Sequence, residues 1–277
     1  MSKIILLMIL PLMILTQLNA QELYVFTEPA SNMPAHSLST KYNGKFLENM
    51  HTGSFGQRHT PELMFGVSKK WMIHITSSFS DMYSSNLRWE SAKFYAKYRF
   101  LSNDDVHKHF RMAAFVTGAY SRNEPTYDDL SLDGDQSGVQ LGVIATQLIN
   151  KLAVSATVSN VQIFDDERWG IHAGHMPFQA IDYTFSAGYL ILPFNYTSYN
   201  QTNLNFYVEL LGQQTYDPGK YYVDLAPAIQ LIFNSNTKLN IGYRFQLGSD
   251  MYRIAEKSWQ VGLERTFLNA LRKKKKA

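Results

Sequence analysis

From His36 to Phe267 the chain sets apolar side chains at every second position, in runs of about ten residues that break at Gly, Asn, Asp, Pro or Ser. A period of two puts successive side chains on opposite faces of an extended strand, so each run has one greasy and one polar face. Phe94, Ala96, Tyr98 and Phe100 interleave with Lys93, Tyr95, Lys97 and Arg99. Ile181, Tyr183, Phe185, Ala187, Tyr189 and Ile191 alternate with Asp182, Thr184, Ser186 and Gly188. Leu239, Ile241, Tyr243, Phe245 and Leu247 alternate with Asn240, Gly242, Arg244 and Gln246. Beyond the first segment no apolar run reaches the roughly 20 residues that a spanning helix needs. If such a chain enters a bilayer, its backbone must be hydrogen-bonded between strands in a closed sheet. The mean hydropathy of −0.23 agrees with this, because lipid-facing and lumen-facing residues cancel over any window.

Carried along the chain, the same periodicity predicts strands over 36–43, 60–68, 71–82, 87–100, 109–120 and 138–149. Six more follow over 152–163, 180–192, 202–213, 221–233, 237–248 and 257–267. The expected fold is all-β, a transmembrane antiparallel up-and-down barrel of about 12 strands, an even number as single-chain barrels require. Long connections are expected at 44–59, 121–137 and 164–179, alternating with tight turns near Lys69-Lys70, Asn150-Lys151 and Asn234-Ser235-Asn236. Two connections depart from strict alternation: the link after the third strand is short for an external loop, and Pro193 to Gln201 is long for a periplasmic turn. Trp71, Phe100, Phe110, Phe233 and Phe267 are placed to form one aromatic rim, and Trp89, Tyr120, Tyr221 and Trp259 the other. A secreted β-sandwich also alternates, but its strands run to about 5–6 residues, roughly half the length of 87–100 or 221–233.

Residues 1–20 read as a cleaved secretory signal peptide, with Lys3 ahead of an apolar stretch from Ile4 to Leu15 and cleavage placed after Ala20. Residues 21–35 are expected as an N-terminal periplasmic segment, 36–267 as the barrel and 268–277 as a basic C-terminal tail. The chain has no cysteine, which excludes disulfide staples, thiolate metal sites and a lipoprotein anchor.

These features together resemble the small outer-membrane β-barrel proteins of Gram-negative bacteria, among them porin-like and transporter types. The resemblance covers about residues 36–267 and rests on architecture and leader. In that class the last strand commonly ends in an aromatic residue that the assembly machinery recognises, and Trp259, Val261, Leu263 and Phe267 look similar; the overhang Leu268 to Ala277 departs from the pattern. The resemblance implies location in the cell outer membrane, contact with outer-membrane lipid and the assembly machinery, and no cofactor.

If apolar positions face lipid, the inward set includes Glu62, His74, Lys93, Lys97, Arg99, Arg111, Asp182, Glu209, Asp224, Arg244 and Glu264. Cations come early and anions late. On closure they meet across the lumen, either as a salt-bridged core that fills the barrel or as a polar path for a charged solute. A second constellation joins His172, His175 and Met176, whose imidazole and thioether donors suit copper. The loop 121–137 carries Glu124, Asp128, Asp129, Asp133 and Asp135. It fails the full calcium-loop spacing and reads as a solvated acidic loop that loosely attracts divalent cations.

For catalysis, His74 with Ser77 and Ser78 is the nearest approach to a nucleophile pair, without a Gly-x-Ser-x-Gly elbow. No phosphate loop or aromatic-interleaved basic patch points to nucleotides or nucleic acid. The sequence therefore favours a non-enzymatic outer-membrane barrel that admits or binds a small solute. The alternatives are a plugged structural or adhesive barrel whose loops meet a partner and, third, a barrel lipid hydrolase.

Overall fold

The computed structural model describes residues 24–105, 108–164, 176–195, 198 and 200–272. Twelve strands follow one another in chain order: β1 (Ser37–Glu48), β2 (Phe55–Gly66), β3 (Trp71–Ser80), β4 (Arg88–Asp104), β5 (Lys108–Ser121) and β6 (Gly138–Ile149) form the first half. The second half comprises β7 (Leu152–Ile163), β8 (Gln179–Leu192), β9 (Asn203–Thr215), β10 (Tyr221–Phe233), β11 (Thr237–Ser249) and β12 (Lys257–Phe267). Each strand pairs antiparallel with its sequence neighbours, and β1 closes on β12 from Leu38↔Phe267 to Leu47↔Ser258, so the sheet has no free edge. The ladder skips Thr60 and Pro61 between β2 and β3, and Ala226 and Pro227 between β10 and β11, where proline has no N–H to give.

The expected up-and-down barrel is thus the observed fold, and the two irregular connections leave the strand number unchanged. One end carries the connections 67–70, 105–107, 150–151, 193–202 and 234–236, the other 49–54, 81–87, 122–137, 164–178, 216–220 and 250–256. Asn150, Asn234 and Ser235 have positive φ, the backbone that tight hairpin turns demand.

One expected boundary is corrected. β1 runs on to Glu48 and β2 begins at Phe55, so the long connection expected at 44–59 shrinks to 49–54. Asn43-Gly44 has the composition of a turn, but Gly44 pairs with both His59 and Val261, and the Phe46 ring lies 3.0 Å from where a Cβ would sit.

Side chains sort by face as the alternation requires. Leu63, Ile75, Phe94, Val116, Leu141, Val158, Phe185, Ile229, Ile241 and Leu263 form an exposed apolar band around the outside. Trp71, Phe100, Phe233 and Phe267 are exposed at the short-turn end, and Tyr120, Tyr221 and Trp259 at the loop end. Among the described residues no helix is long and apolar enough to cross a membrane. Ser39, Thr146, Ser155, Ser186, Gln230 and Asn240 are buried on the inner face.

The inner wall is not uniformly polar, however. Leu148, Ala153, Tyr207 and Ala228 are buried near the short-turn end, and Val161, Ile163 and Ala180 near the loop end, so part of the wall from β6 to β10 is greasy on both faces. The expectation that apolar positions point outward holds for the band and fails on this sector, because two chain segments inside the barrel need an apolar surface to pack on.

The band gives a direct test. Val158→Arg, at the middle of β7 and 53% exposed, should destabilise the barrel folded in lipid vesicles by about 2–4 kcal/mol. Denaturant titration of the heat-modifiable gel mobility measures this; a shift within about 0.5 kcal/mol, as on a water-facing surface, would refute the lipid-facing assignment.

Candidate functional site

Two segments that are not strands occupy the lumen. The first is Tyr24 to Pro34, expected as a periplasmic segment and found inside the barrel. Tyr24 and Val25 are buried against Leu148, Ala153, Tyr207 and Ala228, with Phe26 packed on the same cluster. Gly242 makes room for the Phe26 ring, which a Cβ at that position would strike. Further along, Ala30 packs on Ala113 and Ile144 and donates its N–H to Thr146 Oγ1 at 2.9 Å.

Charged wall residues grip the backbone of this segment. Glu209 accepts the N–H groups of Val25 and Phe26, both at 2.9 Å, and the Thr27 hydroxyl at 2.7 Å. Lys97, fully buried, donates to the carbonyls of Pro29 (2.6 Å) and Ser31 (2.9 Å) and lies 3.4 Å from Glu28. Arg111 donates to Ser31 Oγ at 3.0 Å and to Asp104 at 2.8 Å. The chain of contacts runs from β9 to β4, so the early cations and late anions do not pair directly. Instead they bind the two kinds of backbone dipole on one intervening strap. Burial pushes the Glu28 carboxyl upward, but Lys97, with His74 and Lys41 nearby, holds it below the usual carboxylate range.

The second occupant is the loop 122–137. Its expected character, a solvated acidic loop with loose affinity for divalent cations, is corrected for Asp128, Asp129, Asp133 and Asp135, which are met by cations of the wall and of the neighbouring loops, while Glu124 stays exposed. Leu130 and Leu132 are buried on Val161, Ile163 and Ala180. Leu130 also exchanges two hydrogen bonds with Gln213, at 2.7 and 2.8 Å. On the other side Arg58 holds Asp135 with both terminal nitrogens (2.6 and 3.2 Å), and Tyr83 donates to the same carboxylate at 2.8 Å. Lys93 pairs with Asp133, and Arg58 Nε pairs with Glu90. Asp128 takes Lys220 and the Tyr252 N–H, both at 2.6 Å, and Asp129 lies 3.7 Å from Arg253.

Charge state follows from these partners. The Lys93 ammonium, acting against burial, holds the Asp133 carboxyl at about 2. Burial lifts Asp135, yet Arg58 outweighs it and leaves the group below its ordinary value. Asp129 is pushed upward by burial, which its more distant arginine offsets only in part.

The wall itself carries further pairs. Asp224 is bound by Arg244 (2.6 Å) and Arg253 (2.7 and 2.8 Å), Glu264 by Lys238 at 2.8 Å, and Glu62 by His74 at 2.6 Å. Asp182 accepts from Gln140 at 2.9 Å and Gln213 at 2.6 Å. Arg99 is half-buried near the short-turn end. Between strap and loop lies a cavity of about 390 Å³, lined by Lys41, Lys45, Arg58, Lys93 and Arg244 together with Glu62, Asp133, Asp135 and Asp182.

Of the residues expected in the lumen, Lys93, Asp182 and Arg244 line this cavity, while Lys97, Glu209 and Arg111 serve the strap. Asp224 and Glu264 are locked in wall pairs. His172 and His175 lie outside the described residues, and Met176 is half-buried. Among the described residues no three His, Asp or Glu side chains converge as a metal site. His74 is held by Glu62, Ser78 is hydrogen-bonded to Ser91, and Ser77 accepts from Trp89 Nε1 at 2.9 Å.

Sequence reasoning missed the strap, Lys41, Lys45, Arg58, Arg253 and Gln213. The signals were present: a short apolar Tyr24-Val25-Phe26 run ahead of the first strand, Lys41 at an inward position of the expected strand 36–43, and Lys45 and Arg58 at inward positions that the curtailed boundaries of β1 and β2 hid.

The fold is shared with solved outer-membrane barrels. An outer membrane channel from Pseudomonas putida F1 superposes with a TM-score of 0.62 at 10% identity, over 88% of this chain and 100% of that one. The NanC porin gives 0.51 at 10% identity, over 82% and 98% of the two chains. The KdgM porin in complex with disordered oligogalacturonate gives 0.50 at 8% identity, over 83% and 99%. No protein-family model and no curated protein sequence matches the chain.

The strap contacts predict a specific weakness. Glu209→Gln keeps the shape but replaces a carboxylate that accepts two backbone N–H groups and a hydroxyl, losing charge-assisted bonds worth about 1.5–3 kcal/mol each at most. Amide hydrogen exchange at Val25 and Phe26 should accelerate at least tenfold while the barrel amides stay protected; unchanged exchange would show that the carboxylate does not hold the strap.

Proposed function

We propose that the chain is a non-catalytic outer-membrane barrel that passes a small polar solute, with its lumen closed at rest by the strap and by loop 122–137. The observation that carries this reading is the charged cavity of about 390 Å³ inside the barrel, lined by wall residues and bounded by the strap and the loop rather than filled by wall side chains. Side chains that merely filled a barrel would reach across to one another. Here Lys97 and Glu209 reach for backbone groups of a separate segment, contacts that water replaces when the segment leaves. Barrels with this fold include the channel and porins described above, and the apolar band with its two aromatic rims fits an outer membrane. The lumen residues then act on the solute as fixed charges: among the described residues, Lys41 and Lys45 on β1 face the cavity without a carboxylate in ion-pair distance, and Asp182 faces it with amide partners.

The second reading is a permanently closed barrel that shows its loops to a partner, favoured by the buried apolar packing of Tyr24 and Val25. Planar-bilayer conductance separates the two. The processed chain should conduct weakly, and a chain lacking residues 24–34 should conduct severalfold more while keeping the heat-modifiable mobility of a folded barrel. No conductance from either would establish the closed structural barrel.

A further inference from the structure

We infer that the inner wall formed by Lys45, Arg58 and Lys93 is a binding site for a solute with two carboxylate groups, occupied at rest by Asp133 and Asp135 of the barrel's own loop. The inference rests on the channel reading and adds the solute class and the means of opening to it.

Charge sets the stoichiometry. Lys45 and Arg58 stand directly opposite each other in the β1–β2 ladder, where two like charges repel, and Lys93 lines the same cavity. Within ion-pair distance, among the described residues, these three cations have one wall carboxylate, Glu90 on Arg58 Nε, and two loop carboxylates, Asp133 on Lys93 and Asp135 on Arg58. Glu62 and Asp129 also line the cavity, but they are held by His74 and Arg253. Arg58 presents its fork to Asp135 in the bidentate geometry with which guanidinium recognises any carboxylate, and Lys93 meets Asp133 as a point charge. The Arg58 side chain is only 3% exposed with the loop in place, and departure of the loop leaves its two terminal nitrogens without a carboxylate while Glu90 keeps Nε, a position that a second carboxylate can take.

The loop is seated in a manner that allows exchange. Asp133 keeps 72% of its side-chain surface open to the lumen, so an incoming anion can reach Lys93 before Arg58 is released. Between the two aspartates, Gly134 has φ +112° and lies against Glu90 and Arg58, an approach and a backbone that only glycine accommodates. Its carbonyl accepts from Ser121 Oγ and Asn123 Nδ2, both at 2.8 Å, which fixes the loop tip while leaving the carboxylates as the groups in contact with the cations. A tenant tied to its site in this way lowers the apparent affinity for a free ligand by the fraction of time the site stands empty.

Calorimetric titration of the refolded full-length barrel with succinate tests this, with acetate as the single-carboxylate control. The D133N/D135N double variant should bind succinate at least tenfold more tightly than the unaltered protein, because the competing tenant is gone. Arg58→Gln added to that variant should abolish the gain. Gly134→Ala, which displaces the loop without altering any charge, should show the same direction and guards against a folding effect of the asparagines. Equal succinate affinity in the double variant and the unaltered barrel, or succinate and acetate binding alike, would overturn the site. Conductance of the barrel lacking 24–34 is recorded in parallel: a conducting barrel without a succinate effect refutes the dianion site alone, whereas a silent one refutes the channel.

Discussion

Closure of the hydrogen-bond ladder between β1 and β12 is the constraint on which everything else depends. In hydrocarbon an unpaired backbone N–H or C=O has no water to turn to, so a chain with no spanning helix crosses only if every strand has two neighbours. Closure from Leu38↔Phe267 to Leu47↔Ser258 satisfies that demand and simultaneously creates an enclosed interior. Once the interior exists, every second residue points into it, and the chemistry of those residues is no longer a surface property. A lysine that would be innocuous on an exposed sheet becomes a buried charge that must find a partner.

The protein meets that demand largely with its own chain. Where a wall anion and a wall cation are close on neighbouring strands, they pair: Asp224 with Arg244 and Glu264 with Lys238. Where they lie on opposite walls, an intervening segment supplies partial charges instead. The strap turns its amides to Glu209 and its carbonyls to Lys97, and loop 122–137 turns carboxylates to Arg58 and Lys93. Both intruders rest an apolar foot on the wall between β6 and β10. The lumen is therefore divided in cross-section, with a greasy sector that anchors and a charged sector that recognises.

This division explains what the sequence made legible. Alternation carries the face of each residue, so Phe94 outward and Lys97 inward could be read from one run, and the tight turns at Asn150 and Asn234 announced themselves by composition. The ends of β1 and β2 were obscured because Gly44 and His59 are small or polar on the outward face, where a membrane strand was expected to be greasy, and because Asn43-Gly44 has the composition of a turn. The strap was illegible for a different reason. Tyr24 to Pro34 has no periodicity, and its place is fixed by long-range contacts to strands that lie far away in sequence. Leu148 and Val161 likewise looked like lipid-facing residues, since nothing local distinguishes an apolar side chain that meets lipid from one that meets a plug.

The energetics of the interior decide whether such plugs can move. Each hydrogen bond from wall to strap replaces one that water would make in an open lumen, so its net worth is about 0.5–1.5 kcal/mol, or about 1.5–3 kcal/mol where a charged group takes part. The apolar foot adds the burial of a tyrosine and a valine, at about 1.5–3 kcal/mol for a fully buried aliphatic side chain. Against these gains stands the entropy of ordering the strap, about 1–2 kcal/mol for each residue whose backbone is fixed. The opposing quantities are of the same order, so the closed state is favoured by a small difference between large terms. On the proposed channel reading, a closed state balanced in that way yields to a few kcal/mol of differential binding, the scale on which a charged solute would compete with loop 122–137 for Arg58 and Lys93.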